Sequence, residues 1–313
     1  MAVVSLRYHE APPDSFRGGV VAVGNFDGVH RGHAALISEA RGMAARVGGP
    51  VVPVTFDPHP LLLLAPERFQ PPLTTATERA QRLMEVGADH VVVLCTTPEL
   101  LALSPEYFFE TIIASALGAK GMVEGFNFRF GRDRAGSNEM LRTLCAAADI
   151  EFQEVAAFET GGKPVSSSRV RDALVAGDIA AATTLIDRHY RVAGVVGAGA
   201  QRGRTIGFPT ANLDRIETLL PADGVYAVRV IVGDTVFAGA ANVGPNPTFG
   251  ETARKVEVHL IDFAGDLYGT TLTIDFVVRL RGTKKFAGVE PLVEQMTRDV
   301  AASRRLVAES RTA

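Results

Sequence analysis

Residues 24–33 read GNFDGVHRGH, set between an apolar run, VVAV (20–23), and an amphipathic run, AALISEARGMAAR (34–46). Gly24 and Gly28 permit tight turns and close approach of the backbone to a ligand. His30 and His33 are three apart, so at the start of a helix they share one face. A helix N-terminus presents free N–H groups and a partial positive charge, which suits anions. Two imidazoles added there make a cradle for phosphate. Two other readings stand beside it. Histidines one turn apart can chelate zinc, although no third ligand follows at a familiar spacing. The glycines can also serve a plain strand-to-helix turn, with the histidines as surface residues.

Three later stretches carry chemistry. In QRGRTIGFPTANL (201–213), Gly203 and Gly207 flank Arg204 in a basic loop, and Pro209 fixes one φ. Thr210 and Asn212 are i, i+2, so in an extended segment they face the same way. A hydroxyl and an amide oxygen side by side suit Mg²⁺ carrying ATP phosphates. The stretch is not a Walker A loop, because G-x-x-x-x-G-K-[ST] is absent. In KVEVHLIDF (255–263), Val256, Val258 and Leu260 take one strand face while Glu257 and His259 take the other. A carboxylate on an interior polar face of that strand would accept a hydroxyl proton during attack on a γ-phosphate. In PVSSSRVRDAL (164–174), Ser166 or Ser167 can cap the helix that follows, and Arg171 projects from its first turn towards any anion held there. The plain readings are a strand start after a Gly turn, a solvent-facing Glu, and an N-cap with a solvated Arg.

The elements that would position these residues fall into two grammars. Over residues 20–160, buried strand patterns at 20–23, 50–56, 90–95 and 121–126 alternate with helical patterns at 34–47, 77–87, 104–117 and 137–148. That alternation predicts a doubly wound parallel sheet with helices on both faces, whose ligands sit at the carboxyl ends of the strands. From about residue 190 the chain turns to short β-rich segments separated by Gly, Pro and Asp turns. They predict an antiparallel barrel or sandwich, closed by a last helix at about 289–309. The boundary is expected near 187–188, giving modules 1–187 and 188–313. A chain of 313 residues fits two domains. The 47% hydrophobic and 21% charged content fits a globular protein with two cores. A net charge of −3 argues against broad binding to nucleic acid. No apolar segment approaches the ~18–20 residues of a membrane span. MAVVSLRYHE shows no export signal, and Cys95 and Cys145 are expected as two buried free thiols, so a cytoplasmic location is expected.

GVHRGH resembles the H-x-G-H signature of the nucleotidyltransferase superfamily. VVAVGNFDGVHRGH with VTFDPHP resembles one branch of it, the bacterial bifunctional riboflavin kinase/FAD synthetase family. GFNFRFGRDRAGS (125–137) and the serine-rich stretch at 164–174 resemble further elements of that family. Phe126 stands where an acidic residue is usual, and Ser168 where a Thr is. The second half resembles riboflavin kinase in GFPTAN, PADGVYAV, ANVGPNPTFG, VEVHLIDF, DLYG and RGTKKFAG, where Thr283 replaces a usual Glu. The resemblance covers about residues 18–300. It implies a Rossmann-like adenylyltransferase module followed by a six-stranded riboflavin-kinase barrel with a terminal helix. It implies riboflavin phosphorylation by ATP to FMN, then adenylylation of FMN by a second ATP to FAD and pyrophosphate, both with Mg²⁺.

Site residues follow from the same resemblance. Gly24, Phe26, Gly28, Gly32, Ser167 and Ser168 are implied to bind ATP in the first module, with His30, His33 and Arg171 acting in adenylyl transfer. Phe56, Pro58 and Asn127 are implied to line its flavin site. In the second, Gly203, Arg204, Gly207, Thr210 and Asn212 are implied to bind ATP, Thr210 and Asn212 also holding the metal. Glu257 is implied as the base, and Arg279 and Phe286 as flavin contacts. His259 is read as structural. The implied partners are small molecules, without nucleic acid or membrane; weak or transient self-association is left open. A kinase with a degenerate first module, or a non-catalytic flavin-binding regulator, are the alternatives.

Overall fold

The computed structural model describes residues 1–198, 206–245 and 253–310. By packing, the chain divides into two compact units, Met1–Ser167 and Ser168–Ala313.

The first unit is built on six parallel strands: β1 (Ala2–Leu6), β2 (Val20–Val23), β3 (Val51–Asp57), β4 (His90–Cys95), β5 (Gly121–Gly125) and β6 (Glu151–Val155). Their order is β1-β4-β3-β2-β5-β6. The chain winds outward from β2 to β3 and β4 on one side and to β5 and β6 on the other, so the order reverses beside β2. Helices α1 (Arg31–Val47), α2 (Pro60–Leu64), α3 (Ala76–Glu85), α4 (Pro98–Leu101), α5 (Pro105–Phe108) and α6 (Asn138–Ala147) connect the strands, and α5 runs on as a π-helix through Ala116. Alternate residues of a strand point to opposite faces. Val20 and Ala22 accordingly pack with Ile37, Ala40 and Met43 of α1, while Val21 and Val23 pack with Ile113, Met122 and Leu141 on the other face. α1 forms because Leu36, Ile37, Ala40 and Met43 recur at helical spacing, and it ends at Gly48, whose φ of 77° a side chain would resist.

Two strands of this sheet are absent from the sequence-based pattern. β1 is largely exposed, and β6 is the polar run EFQEV; both lie at sheet edges, where polar residues are normal. The single helix expected at 104–117 is a short α-helix continued by the π-helix. Cys145 is buried as expected, and burial pushes its thiol up to about 12. Cys95 is exposed, not buried: it is the last residue of β4, at the edge where the strand leaves the core.

A short hairpin, β7 (Glu159–Thr160) with β8 (Lys163–Pro164), precedes α7 (Ser167–Ala176) and α8 (Ile179–Ile186). In the second unit, β9 (Tyr190–Gly197), β10 (Ala211–Asp214), β11 (Gly224–Val232), β12 (Thr235–Gly244), β13 (Lys255–Leu260) and β14 (Thr271–Arg281) close an antiparallel barrel in the order β10-β13-β12-β11-β14-β9. Tyr226 and Phe276 meet edge to face in its buried core. The last helix, α9 (Val289–Glu309), is tied to the barrel by the Arg281–Asp299 ion pair at 2.8 Å.

Within β5, Glu124 is a carboxyl among apolar neighbours. Burial pushes it well above the usual carboxylate range, and Oε1 accepts the Val23 N–H at 2.6 Å. A carboxyl raised on folding binds its proton more tightly in the native state, so its contribution is present at low pH and lost as pH rises through the folded value. Glu124→Gln keeps the acceptor and removes the titration. Between about pH 5 and pH 8 the wild type should therefore lose more thermal stability than Glu124→Gln, as read by parallel melting curves.

Candidate functional site

The turn after β2 lies at the carboxyl edge of the sheet, beside the point where strand order reverses, the place where such sheets bind ligands. β2 and β5 pair as far as Val21 and Met122; beyond that the Glu124 carboxyl takes the Val23 N–H. Gly24 N–H donates to Val54 O at 3.0 Å, and the chain then enters left-handed backbone at Phe26, Gly28 and Val29. Gly28 is required there: its φ is 80°, and a Cβ would lie 2.8 Å from Leu73 Cδ1.

The turn is fastened from the segment before α3. Buried Asp27 accepts from Leu73 N–H at 2.8 Å and Thr74 N–H at 3.2 Å, and Gly28 N–H donates to Thr74 Oγ1 at 3.2 Å. Ser167 Oγ donates to Asp27 O at 2.8 Å. Ser167 is thus the first residue of α7 and spends its hydroxyl on the turn.

His30 is the N-cap of α1. Its Nδ1 accepts the His33 N–H at 3.3 Å, which in a neutral ring places the proton on Nε2. The two imidazoles stack with centroids 3.6 Å apart, and the Phe26 ring meets His33 edge-on at 5.1 Å. Gly32 follows directly: a Cβ there would sit 3.1 Å from the His30 ring. His30, His33, Gly24, Phe26, Gly28 and Gly32 are therefore one compact group. Among the described residues no three His, Cys, Asp or Glu side chains are grouped to hold a metal ion.

Phe56 ends in partial contact with the core on β3, and Pro58 follows a cis Asp57–Pro58 bond at the same sheet edge. Asn127 is exposed just past the end of β5. These three share the carboxyl edge with the imidazole turn. Ser168 and Arg171, on α7, fall in the second unit.

In the barrel, β10 lays Asn212 directly opposite Glu257, and Glu257 lies opposite Asn242 on β12. Directly opposed residues share a face, so the three form one row. Val256, Val258 and Leu260 are buried. Glu257 is half-buried on the opposite face, so the interior position expected for it is corrected: the inner face is apolar and the carboxylate belongs to the other. Thr210 and Asn212 line a cavity of about 460 Å³ with Phe263, Asp266 and Tyr268. Glu257 does not line that cavity; it is related to it through Asn212, its partner in the ladder. His259 Nδ1 donates to Pro209 O at 2.8 Å and holds the segment leading into β10. Gly207 is exposed in a turn at φ 87°. Gly203 and Arg204 lie outside the described residues. Arg279 Nη2 donates to Asp223 O at 2.7 Å, and Arg279 pairs with Tyr226, away from the Asn212–Glu257 row. The Phe286 ring lies against the cations of Lys284 at 5.4 Å and Arg281 at 5.7 Å.

Arg79, Glu124 and Asn242 escaped the reading of the sequence. Arg79 shares the buried face of α3 with Ala80 and Leu83, and a charge at such a position is a legible signal. Glu124 is likewise a charge inside an apolar strand. Asn242 has no local signal; only strand register brings it to Glu257.

Fold and residues together define a chain of two phosphate-handling modules. Residues 13–169 match the family described as FAD synthetase, and residues 186–307 the family described as riboflavin kinase. The bifunctional riboflavin kinase/FMN adenylyltransferase of Pseudomonas fluorescens is 38% identical over 303 residues, covering 96% of this chain and 97% of the relative. That of Escherichia coli (strain K12) is 35% identical over 288 residues, covering 92% of each. A crystal structure titled as a macrolide-efflux protein from Streptococcus pneumoniae matches with a TM-score of 0.86 at 32% identity, covering 96% of this chain and 98% of that one. Among the described residues of this chain no helix is long and apolar enough to cross a membrane. The chain belongs to the bifunctional riboflavin kinase/FMN adenylyltransferase family.

Removing the Asp27 carboxylate strands two buried N–H donors, and each such group costs about 1–3 kcal/mol. Asp27→Ala should lower the melting temperature of the chain. Asp27→Asn, which keeps one acceptor oxygen, should recover part of the loss in the same thermal scan.

Proposed function

We propose that this chain makes FMN and then FAD: the barrel phosphorylates riboflavin with ATP, and the parallel-sheet unit transfers AMP from a second ATP to FMN, releasing pyrophosphate. The observation that carries the reading is the presence, in two units of one chain, of a stacked imidazole pair at the strand-order reversal and an Asn212–Glu257 rung beside the Thr210 cavity. We take residue 187 as the functional boundary, with the cytoplasm as the location.

The two reactions ask different things of the protein. FMN already carries an anionic phosphate, so adenylyl transfer needs no base. A phosphate oxygen attacks the α-phosphorus of ATP, and the bond to the pyrophosphate oxygen breaks. The task is to align two polyanions and to stabilise charge on the departing group. In this reading the His30 Nε2–H, His33 and the amides of the turn do so, with Arg171 and the Ser168 hydroxyl contributing to nucleotide binding and Ser167 acting on it through the turn that its hydroxyl fastens. Phe56, Pro58 and Asn127 contact the flavin.

In the kinase step the nucleophile is the primary hydroxyl at the end of the ribityl chain, which attacks poorly while protonated. Glu257 takes that proton as the oxygen bonds to the γ-phosphorus and ADP departs. Thr210 and Asn212 offer a hydroxyl and an amide oxygen from one segment into one cavity, a donor set that fits a hard, oxygen-seeking Mg²⁺. Bound there with ATP, the ion would neutralise phosphate charge. Gly203, Arg204 and Gly207 belong to the same ATP loop, and Arg279 and Phe286 are assigned to the flavin. For Phe286 this requires the ring to serve the flavin while flanked by Lys284 and Arg281.

The test is separation of the activities in one polypeptide. With FMN and Mg-ATP, the wild type should form FAD. Glu257→Gln should abolish FMN formation from riboflavin and leave FAD formation from supplied FMN at the wild-type rate. The double variant His30→Ala/His33→Ala should do the reverse. Loss of both activities together in either variant, with the melting curve unchanged, would falsify the two-site assignment.

A further inference from the structure

Arg79 has no part in the chemistry described so far, yet its placement is costly. It is 3% exposed, and burial pulls the guanidinium below its usual range. Removing a cation from water carries a penalty of several kcal/mol unless it is well compensated. Its compensation is partial. Nη1 donates to Asn25 O and Nη2 to Phe56 O, both at 2.9 Å. Nε is buried and has no hydrogen-bond partner among the described residues. Asp27 and Asp57 act on the guanidinium through the electrostatic field.

The two carbonyls belong to the two segments that carry candidate ligand residues: Asn25 immediately precedes Phe26 in the turn after β2, and Phe56, itself a candidate, lies at the end of β3 two residues before Pro58. Thr55 Oγ1 also donates to Asn25 O, at 3.1 Å. In a trans peptide the C=O and the following N–H point in opposite directions. Drawing the Asn25 carbonyl towards Arg79 therefore turns the Phe26 N–H away from the buried layer. Phe26 itself has a φ of 47°, and successive N–H groups around such left-handed residues form anion-binding concavities. The charges point the same way. Asp27 and Asp57 would both repel a triphosphate at this edge, and Arg79 is a buried cation that offsets them.

Resting on the adenylyltransferase reading above, we propose that Arg79 is a positioning residue for the ATP polyphosphate: through Asn25 O it aims the Phe26 amide at the phosphates, and its charge cancels the field of Asp27 and Asp57 there. It touches neither substrate. Its bond to Phe56 O also steadies the flavin-assigned end of β3, but the charge and the Phe26 amide act on the nucleotide, so the larger effect falls there.

The experiment measures FAD formation by the full chain, varying ATP and FMN separately, with pyrophosphate as product inhibitor. Wild-type FAD formation is established first; its absence would sink the functional reading, not this one. Arg79→Met should raise KM for ATP and weaken pyrophosphate inhibition about tenfold or more, the scale of a lost hydrogen bond to a charged group. KM for FMN should rise by clearly less than KM for ATP, and riboflavin phosphorylation by the same molecule should be unchanged. Arg79→Lys, which restores the charge without the fork, should recover pyrophosphate inhibition in part. Unchanged ATP and pyrophosphate parameters in Arg79→Met overturn the proposal. So does an equal loss for ATP and FMN, the mark of a merely structural arginine. Where Arg79→Met fails to fold, Arg79→Lys decides by the same comparison of ATP with FMN.

Discussion

The first unit depends on two neighbouring strands coming apart. β2 and β5 share a parallel ladder through Val21 and Met122, and then β5 continues towards β6 while β2 turns into the glycine-rich segment. Main-chain groups released by that parting need partners, because a buried amide without one is expensive. The Glu124 carboxyl supplies one for Val23, while on the other side the β3 ladder continues as far as Gly24, which donates to the Val54 carbonyl. Once the strands part, backbone amides, a helix N-terminus and two imidazoles can face one point. The crevice is thus a by-product of topology that the sequence has furnished with chemistry.

Fastening such a turn takes unusual groups. The Asp27 carboxylate, the Arg79 guanidinium and the three hydroxyls of Thr55, Thr74 and Ser167 all bond to main-chain atoms of residues 25–28 or of the segment beside them. Polar interior networks of this kind are costly when half-satisfied and rigid when complete. Rigidity suits a reaction whose barrier is lowered by alignment and by fixed charge, since dipoles already in place need no reorganisation as the reaction proceeds.

Much of this was legible in the residues. Apolar runs bounded by glycines marked the four central strands, and the change to short β-rich segments marked the barrel. GNFDGVHRGH marked a strand-to-helix turn with two histidines on one face without any fold in hand. What escaped has a physical pattern. β6 sits at an edge, where burial no longer writes an apolar signature into the chain, whereas β1, AVVSL, is apolar although largely exposed, so its pattern did not tell it from a short terminal run. The four residues of β10 are too few to show alternation. Glu257 was placed on the correct side of the valine alternation, yet periodicity cannot say which side of a barrel wall is the inside; closure decides that. Arg79 and Asn242 act through partners far away in sequence, and their roles exist only after folding.

The short strand β10 has a consequence for how the second unit tolerates change. It is held at two positions against β13 and three against β9, and this register alone keeps Asn212 abreast of Glu257. Side chains alternate with a period of two, so a slip of a single residue would turn Asn212 towards the wall and bring Ala211 round in its place. The ladder acts as a ruler with one-residue graduations. Lengthening the chain ahead of Pro209 leaves that scale unmoved, whereas inserting one residue between Ala211 and Leu213 would misread it by a full division.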